Sequence, residues 1–252
     1  MAAGKGTRMG VAGEGLPKVM VPTLGRPMVD WVVEACREAG ISRIILVVGH
    51  MAPMVQAAYA GQPDVECVTQ EPQLGTGHAV DQARPVLERL DPSAPVVVLG
   101  GDGPLIRAAT IGCLIREHRS HGAAATMATS VIADPTGYGR IVRDADGRFT
   151  AIVEHKDASD AQRAIGEVNP SYYCFRNEDL LRELSRVDNK NANGEYYLVD
   201  VLTLLCAAGR PVHVVSAVPP EDVLSINTPE QLAQVESILG RREAAPSARS
   251  HA

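Results

Sequence analysis

No apolar run in this 252-residue chain approaches the ~20 residues needed to cross a bilayer; PVVVL at 95–99 is among the longest. The N-terminus lacks the order of charged, apolar and small residues that marks a secretory signal. A cytoplasmic protein without a membrane partner is therefore expected. Positive charge is in deficit: 24 Lys and Arg stand against 30 Asp and Glu, a net −6. Binding a phosphate backbone needs a basic surface, so nucleic acid is not expected as a partner. A small phosphorylated molecule needs only a few local cations and is not excluded. Cysteine motifs are missing too. The five cysteines, Cys36, Cys67, Cys113, Cys174 and Cys206, are odd in number and scattered, with no C-x-x-C, which reads as reduced and mostly buried thiols. Internal repeats are absent. So are two nucleotide fingerprints: Gly4, Gly6 and Gly10 give G-x-G-x-x-x-G, one residue too long for a dinucleotide loop, and G-x-x-x-x-G-K-[ST] has no match.

What the chain does contain is an alternation of strand-like and helix-like stretches, the pattern of an α/β domain with a largely parallel sheet. Met28, Val29, Val32, Val33 and Cys36 recur at helical spacing and end at Gly40. RIILVV, VECV and PVVVL read as strands, with helices over 78–90 and 108–119. After about residue 130 the pattern changes. RIVRDADGRFTAIVEH reads as a hairpin turning at D-A-D-G, and YYCF as a further strand. Helices are expected over 180–187, 197–209 and 228–240, the last opened by Thr228, Pro229 and Gln231 as a capping box. VHVVSAV reads as a strand, and 241–252 as a disordered tail.

The opening MAAGKGTRMG supplies a glycine turn whose N–H groups can hold a phosphate, with Lys5 and Arg8 nearby. Asp102 follows the apolar run PVVVLGG, at the carboxyl end of a buried strand, where open α/β sheets bind ligands. A carboxylate there needs a partner or a cation. One carboxylate, one amide oxygen and phosphate oxygens form a complete oxygen set for magnesium. Gln70 carries both a donor and an acceptor suited to a base edge, and Gly75 permits close backbone approach. His78 starts a helix without an acidic or nucleophilic neighbour and reads as structural.

AAGKGTRM, LPKV and GRPMV resemble the signature of sugar-phosphate nucleotidyltransferases. QEPQLGTGHAV, GGDGPLI, DPTGYGRIVR, VEHKDAS, EVN and GEYYLVD follow in order. Together they resemble the N-terminal uridyltransferase domain of the bacterial bifunctional N-acetylglucosamine-1-phosphate uridyltransferase and glucosamine-1-phosphate acetyltransferase. The resemblance spans about residues 1–240. It implies a Rossmann-like nucleotidyltransferase fold, a mostly parallel mixed sheet flanked by helices with a smaller hairpin-containing sugar-binding lobe. The implied partners are UTP and N-acetylglucosamine 1-phosphate, and the implied cofactor is Mg²⁺. Arg8 and Lys18 would be catalytic. Ala2, Ala3, Gly4, Lys18, Gln70, Gly75 and Thr76 would bind nucleotide, Gly139, Glu154, Asn169 and Tyr197 the sugar, and Asp102 and Asn227 the metal. The same chemistry on another sugar 1-phosphate or nucleotide, and an inert sugar-nucleotide-binding domain, are the competing readings.

The sequence departs from the pattern in places. The family leads into AAGKGTRM with a hydrophobic strand where this chain has Met1, so the first central strand is expected to be missing and the natural protein to begin upstream. Pro170 and Ser171 replace Thr-Gly after Asn169, Val199 stands for threonine, VAGEG lengthens the loop before Lys18, and Gly100 replaces a bulkier residue. No hexapeptide repeat of a left-handed β-helix follows residue 240, so no acetyltransferase domain is expected, and with it a monomer or weak dimer.

Overall fold

Period-two alternation along the strands divides the apolar side chains between two layers of helices. In a computed structural model, which describes residues 1–4, 6, 15–191 and 193–244, neighbouring residues of one strand enter opposite cores. Cys174 and Ala128 join one cluster, while Tyr173, Phe175 and Met127 join the other.

A short ribbon, β1 (Pro22–Thr23) and β2 (Arg26–Pro27), leads into α1 (Met28–Glu38). The expected apolar stripe of α1 is buried, and Gly40, at φ 81°, closes the helix. Gly40 N–H bonds to Arg37 and Ile41 N–H to Cys36, the paired bonds of a Schellman stop. Then come β3 (Ile44–Val48), α2 (Ala52–Tyr59), β4 (Val65–Thr69), α3 (Thr76–Asp81), α4 (Arg84–Leu87), β5 (Pro95–Val98), α5 (Ala108–Ser120) and β6 (Ala125–Val131). The expected hairpin is β7 (Gly139–Arg143) and β8 (Phe149–Val153). After it follow α6 (Asp160–Arg163), β9 (Glu167–Arg176), α7 (Asn177–Leu184), α8 (Val199–Ala207), β10 (Val212–Ser216) and α9 (Pro229–Ala244).

Helices α1, α2, α5 and α9 cover one face, and α3, α4, α7 and α8 the other. The sheet is mixed. β3 pairs with β4 and β10 with β6 in parallel, whereas the ten-residue β9 runs antiparallel to β6, β5 and β7. Met1–Ala3 is a short extended stub between β3 and the end of β5. Ala2 bridges Val48 in parallel, the Met1 amine donates to Leu99 O, and Gly101 N donates to Met1 O.

Several elements differ from the pattern reading: α6 and the β1–β2 ribbon were not expected, and the helix expected over 180–187 is α7, three residues earlier. The single helix expected over 78–90 is two, because Pro85 has no N–H to carry the ladder through. Helix α2 was not announced by the apolar spacing, although Pro53 in its first turn is a start signal. The YYCF strand is only the end of β9. Helix α9 continues to Ala244, four residues into the expected tail, and residues 245–252 lie outside the described residues.

Candidate active site

Three residues distant in sequence meet at one atom. Lys18 Nζ donates to Asp102 Oδ2 at 2.5 Å and to Asn227 Oδ1 at 2.8 Å, across 84 and 209 positions of chain. Each is placed by local chemistry. Lys18 opens a 3-10 turn directly after Pro17. Asp102 follows β5 through Gly100 and Gly101; a Cβ on Gly100 would lie 2.7 Å from Asp102 Oδ1, and one on Gly101 3.0 Å from Met1 O. Asn227 stands before the capped start of α9. Gln231 N donates to Thr228 Oγ1 as expected, but the Gln231 side chain reaches back one residue further and accepts from Asn227 N at 2.8 Å. The Asn227 amide nitrogen donates to Ser225 Oγ, which turns Oδ1 toward Lys18. Ile226 N donates to Asp102 O and ties the two loops together.

The segment bearing Asn227 is anchored from below. Asp222 is buried and accepts from Arg107 Nε and Arg242 Nη2, and Arg242 also donates to Leu105 O. A buried carboxylate between two guanidiniums is strongly destabilised by losing its partners, so this clamp holds the loop to α5 and α9.

The donor set of Asp102 and Asn227 fits a divalent cation. One carboxylate oxygen and one amide oxygen already converge on a positive charge, the Lys18 ammonium, and oxygen donors of this kind suit hard cations.

A cleft of about 270 Å³ beside this cluster is lined by Ala2, Ala3, Gly4, Lys18, Gln70 and Gly75, with Thr76 and Asp102 at its wall. The expected nucleotide residues are thus brought together. Gly6, at φ 65°, lies against the Lys18 stem, where a Cβ would come within 2.7 Å of Lys18 Cβ. Arg8, Lys5 and the rest of 7–14 lie outside the described residues. Gln70 is buried, and its Nε2 donates to Gly75 O at 2.9 Å and contacts His78 Nδ1 at 3.1 Å. His78, read as structural, therefore orients the amide. Gly75, at φ 104°, is required by close approach, since a Cβ would meet Tyr196 O at 2.6 Å. The 193–197 segment docks here through Tyr196 N to Leu74 O and Gly77 N to Tyr196 O. The Thr76 hydroxyl accepts from Leu198 N at 3.0 Å, so its first duty is to hold the start of α8.

Of the expected sugar residues, three cluster. Gly139 pairs with Asn169 across β7 and β9, and a Cβ on Gly139 would lie 3.4 Å from Glu154 Oε1. Asn169 is buried; Nδ2 donates to the Tyr173 hydroxyl at 2.8 Å, and Oδ1 accepts from Ser171 N at 2.9 Å. Burial pushes the Tyr173 phenol up to about 12, so it stays protonated. Tyr197 lies apart from these three in its contacts: its backbone packs on Gly77 and its hydroxyl accepts from Asn193.

Sequence reasoning missed Gln73, whose Nε2 donates to Ala3 O at 2.5 Å, and Gly49, where a Cβ would meet that same Nε2 at 2.5 Å. It also missed Arg140, buried beneath the hairpin with its guanidinium on Tyr138 O and His155 Nδ1. A buried arginine in an alternating strand carries no pattern signal, but it lies next to Gly139 in a motif already singled out.

The family described as Nucleotidyl transferase matches residues 1–236. The bifunctional protein GlmU of Geotalea uraniireducens is 45% identical over 242 residues, covering 96% of this chain and 52% of the relative. That of Brevibacillus brevis is likewise 45% identical, covering 96% and 51%. The chain thus spans about half the length of the curated relatives it matches. A crystal structure of apo UDP-glucose pyrophosphorylase superposes with a TM-score of 0.75 at 16% identity, covering 96% of this chain and 97% of that one. A second, in complex with UDP-glucose, gives 0.72. At that identity the likeness concerns the fold.

Proposed function

The chain belongs to the nucleotidyl transferase family, and on that premise we propose that it transfers the uridylyl group of UTP to N-acetylglucosamine 1-phosphate, giving UDP-N-acetylglucosamine and pyrophosphate. The observation that carries this reading is the convergence of Lys18, Asp102 and Asn227 beside the cleft lined by Ala2–Gly4, Gln70 and Gly75. The sugar and the base are assigned by the motif resemblance.

A phosphate oxygen of the sugar phosphate attacks the α-phosphorus of UTP; that P–O bond forms as the bond to pyrophosphate breaks. The attacking oxygen is already ionised at pH 7, so no general base is needed, and among the described residues none of the side chains in the cleft is placed as a nucleophile. Bringing two anions together is the main obstacle. Lys18 lowers it by placing positive charge beside Asp102 and Asn227; Arg8, outside the described residues, is given the same task by the resemblance alone. Asp102 and Asn227 would hold Mg²⁺, which supplies Lewis-acid neutralisation of phosphate charge when bound. The Gln70 amide nitrogen donates to Gly75 O and faces His78 Nδ1, which leaves its carbonyl oxygen to accept from the uracil N–H. Gly139, Glu154 and Asn169 form the sugar wall, with Tyr197 on the loop docked against Gly77.

Pyrophosphate release, measured with Mg²⁺ for each pairing of nucleoside triphosphate and sugar 1-phosphate, tests the reading. The UTP and N-acetylglucosamine 1-phosphate pair is expected to be fastest. Asp102→Ala should lower its rate on the order of 100-fold or more, the usual effect of removing a preorganised electrostatic group. A faster alternative pair would reassign the substrate, and no release from any pair would leave a binding domain.

A further inference from the structure

Away from the cleft, two histidines and a glutamate meet where the end of α5 packs on β10. Alternation sets the face of β10 that His213 occupies. Val212 and Val214 pack with the cluster of α7 and α8, whereas Val215 packs with the one that holds Ile111 and Leu114 of α5. His213 shares the side of Val215 and pairs in register with Thr126 of β6, whose hydroxyl contacts His118 Nδ1 on α5 at 3.1 Å. Glu117 and His121 stand four residues apart at the end of the same helix, the spacing that brings two side chains onto one face.

Glu117 Oε2 lies 3.7 Å from His213 Nε2 and 3.7 Å from His121 Nδ1, and one ligand atom from each residue lies within 4.8 Å of the other two. Two ligand atoms around a tetrahedral ion with bonds of about 2.0–2.1 Å stand ~3.3 Å apart, so only a small closure is required. Two imidazoles and one carboxylate suit zinc-class ions rather than Mg²⁺, which takes oxygen. The carbonyl end of a helix favours a cation as well. Arg143, the guanidinium whose charge acts on His213, is already gripped by both oxygens of Glu167. Burial, and after it His121, lower the His213 pKa, which favours the neutral ring that metals bind. One movement is needed. The two imidazoles stack, with centroids 3.8 Å apart and planes 15° from parallel, whereas a metal lies in the plane of each ring it binds. His213 is fixed in β10; His121, 49% exposed at the helix end with Nδ1 on Ser120 Oγ and Glu117 O, is the ring that turns.

We propose that Glu117, His121 and His213 form a binding site for a zinc-class divalent ion, separate from the oxygen donors Asp102 and Asn227. His213 Nε2 and Glu117 Oε2 are the fixed ligands, His121 turns in as the third, and water completes the tetrahedron. The bound ion staples the end of α5 to β10, which among the described strands pairs with β6 alone.

The test uses the untagged chain stripped with EDTA, and none of its readouts depends on turnover. Calorimetric titration with Zn²⁺ in excess Mg²⁺ should find one equivalent bound, with the same affinity in Asp102→Ala. Affinity should fall by about 100-fold or more in His213→Gln and in Glu117→Gln, the upper end of what losing even a supporting residue costs a metal site, and by about tenfold in His121→Ala. X-ray absorption at the zinc edge should show nitrogen and oxygen neighbours at about 2.0–2.1 Å and no sulfur at about 2.3 Å. At a hundredfold excess of free Zn²⁺ over Kd, Tm should rise by about 5–10 °C in the parent and stay in place in Glu117→Gln. Unfolding without metal identifies any variant that has lost its fold, and Glu117→Gln, which only exchanges a carboxylate for an amide at a partly exposed position, carries the comparison if His213→Gln is such a variant. Absence of a bound equivalent at micromolar Zn²⁺, sulfur among the neighbours, or parent affinity in the folded ligand variants would overturn the proposal. Loss of the equivalent in Asp102→Ala would overturn it too, by moving the ion to the cleft.

Discussion

The cleft around Lys18 and Gln70 and the cluster around Asn169 are built by different means. Around Lys18 and Gln70 the geometry depends on the lack of side chains: Cβ atoms at Gly6, Gly49 and Gly75 would each come within 3.0 Å of a neighbouring atom. Around Asn169 it depends on polar side chains that hold one another, with Tyr173 on the Asn169 amide and Arg140 on His155. Backbone N–H groups are the same whatever the residue, so on the proposed function the first region would suit the phosphates, which every nucleotide shares. Side chains differ in reach and polarity, and on the same reading the second region is where discrimination among sugars would be tuned. Pro170 and Ser171 fall in this second region, beside Asn169.

That contrast can be broken first at Gly75. Gly75→Ala adds a Cβ 2.6 Å from Tyr196 O at a residue with φ 104°, and should displace both the Gln70 amide and the 193–197 loop. We expect kcat/KM for UTP to fall about 100-fold, equivalent to about 2.7 kcal/mol; steady-state kinetics within twofold of the parent would refute the close-approach account. Asn169→Ala should act on the other region alone. KM for the sugar phosphate should rise about tenfold with KM for UTP unchanged, and the stranded Tyr173 hydroxyl should lower stability by about 1–3 kcal/mol in denaturant titration. If both KM values rose together, the two regions would not be separable. The smallest effect is expected at Ser171, a non-glycine residue at φ 65°. Ser171→Gly should relieve about 1 kcal/mol of left-handed strain, partly offset by chain entropy, and shift Tm upward by no more than about 4 °C while leaving kcat in place. A fall in Tm would mean that the Ser171 side chain contributes more than its backbone strain costs.

Much of this was legible beforehand, for reasons that differ by residue. Asp102 was readable because an apolar strand ending in an acid is a local pattern with a physical price. The Thr228–Gln231 cap and the Gly40 stop were readable because capping acts within a few residues. Asp102 and Asn227 were brought together by the resemblance, as ligands of one metal, but the meeting of Lys18 with them was not legible, since it is far from both in sequence and was assigned to the nucleotide. Gln73 and Gly49 escaped notice because each matters only through the other and through Ala3. The break between α3 and α4 was legible in Pro85 and was passed over in favour of apolar spacing. The mixed sheet was the least legible feature, because a strand such as β9 has the same alternation whichever direction its neighbours run.

Strand β9 carries β7, at Asn169, and β5, which leads to Asp102. Along one edge it carries β7 at Asn169 and β5 from Tyr173 onward, with Pro170 and Ser171 between, and opposite them the register with β6 shifts between Ala128 and Ser130. The strand is therefore a ruler with a fixed bend, and on the proposed function the spacing of the two substrates would be inherited from main chain rather than from any removable group. On that reading, exchanging side chains could change which sugar is welcome, but altering how far apart the reactants sit would take a residue inserted into or deleted from that stretch.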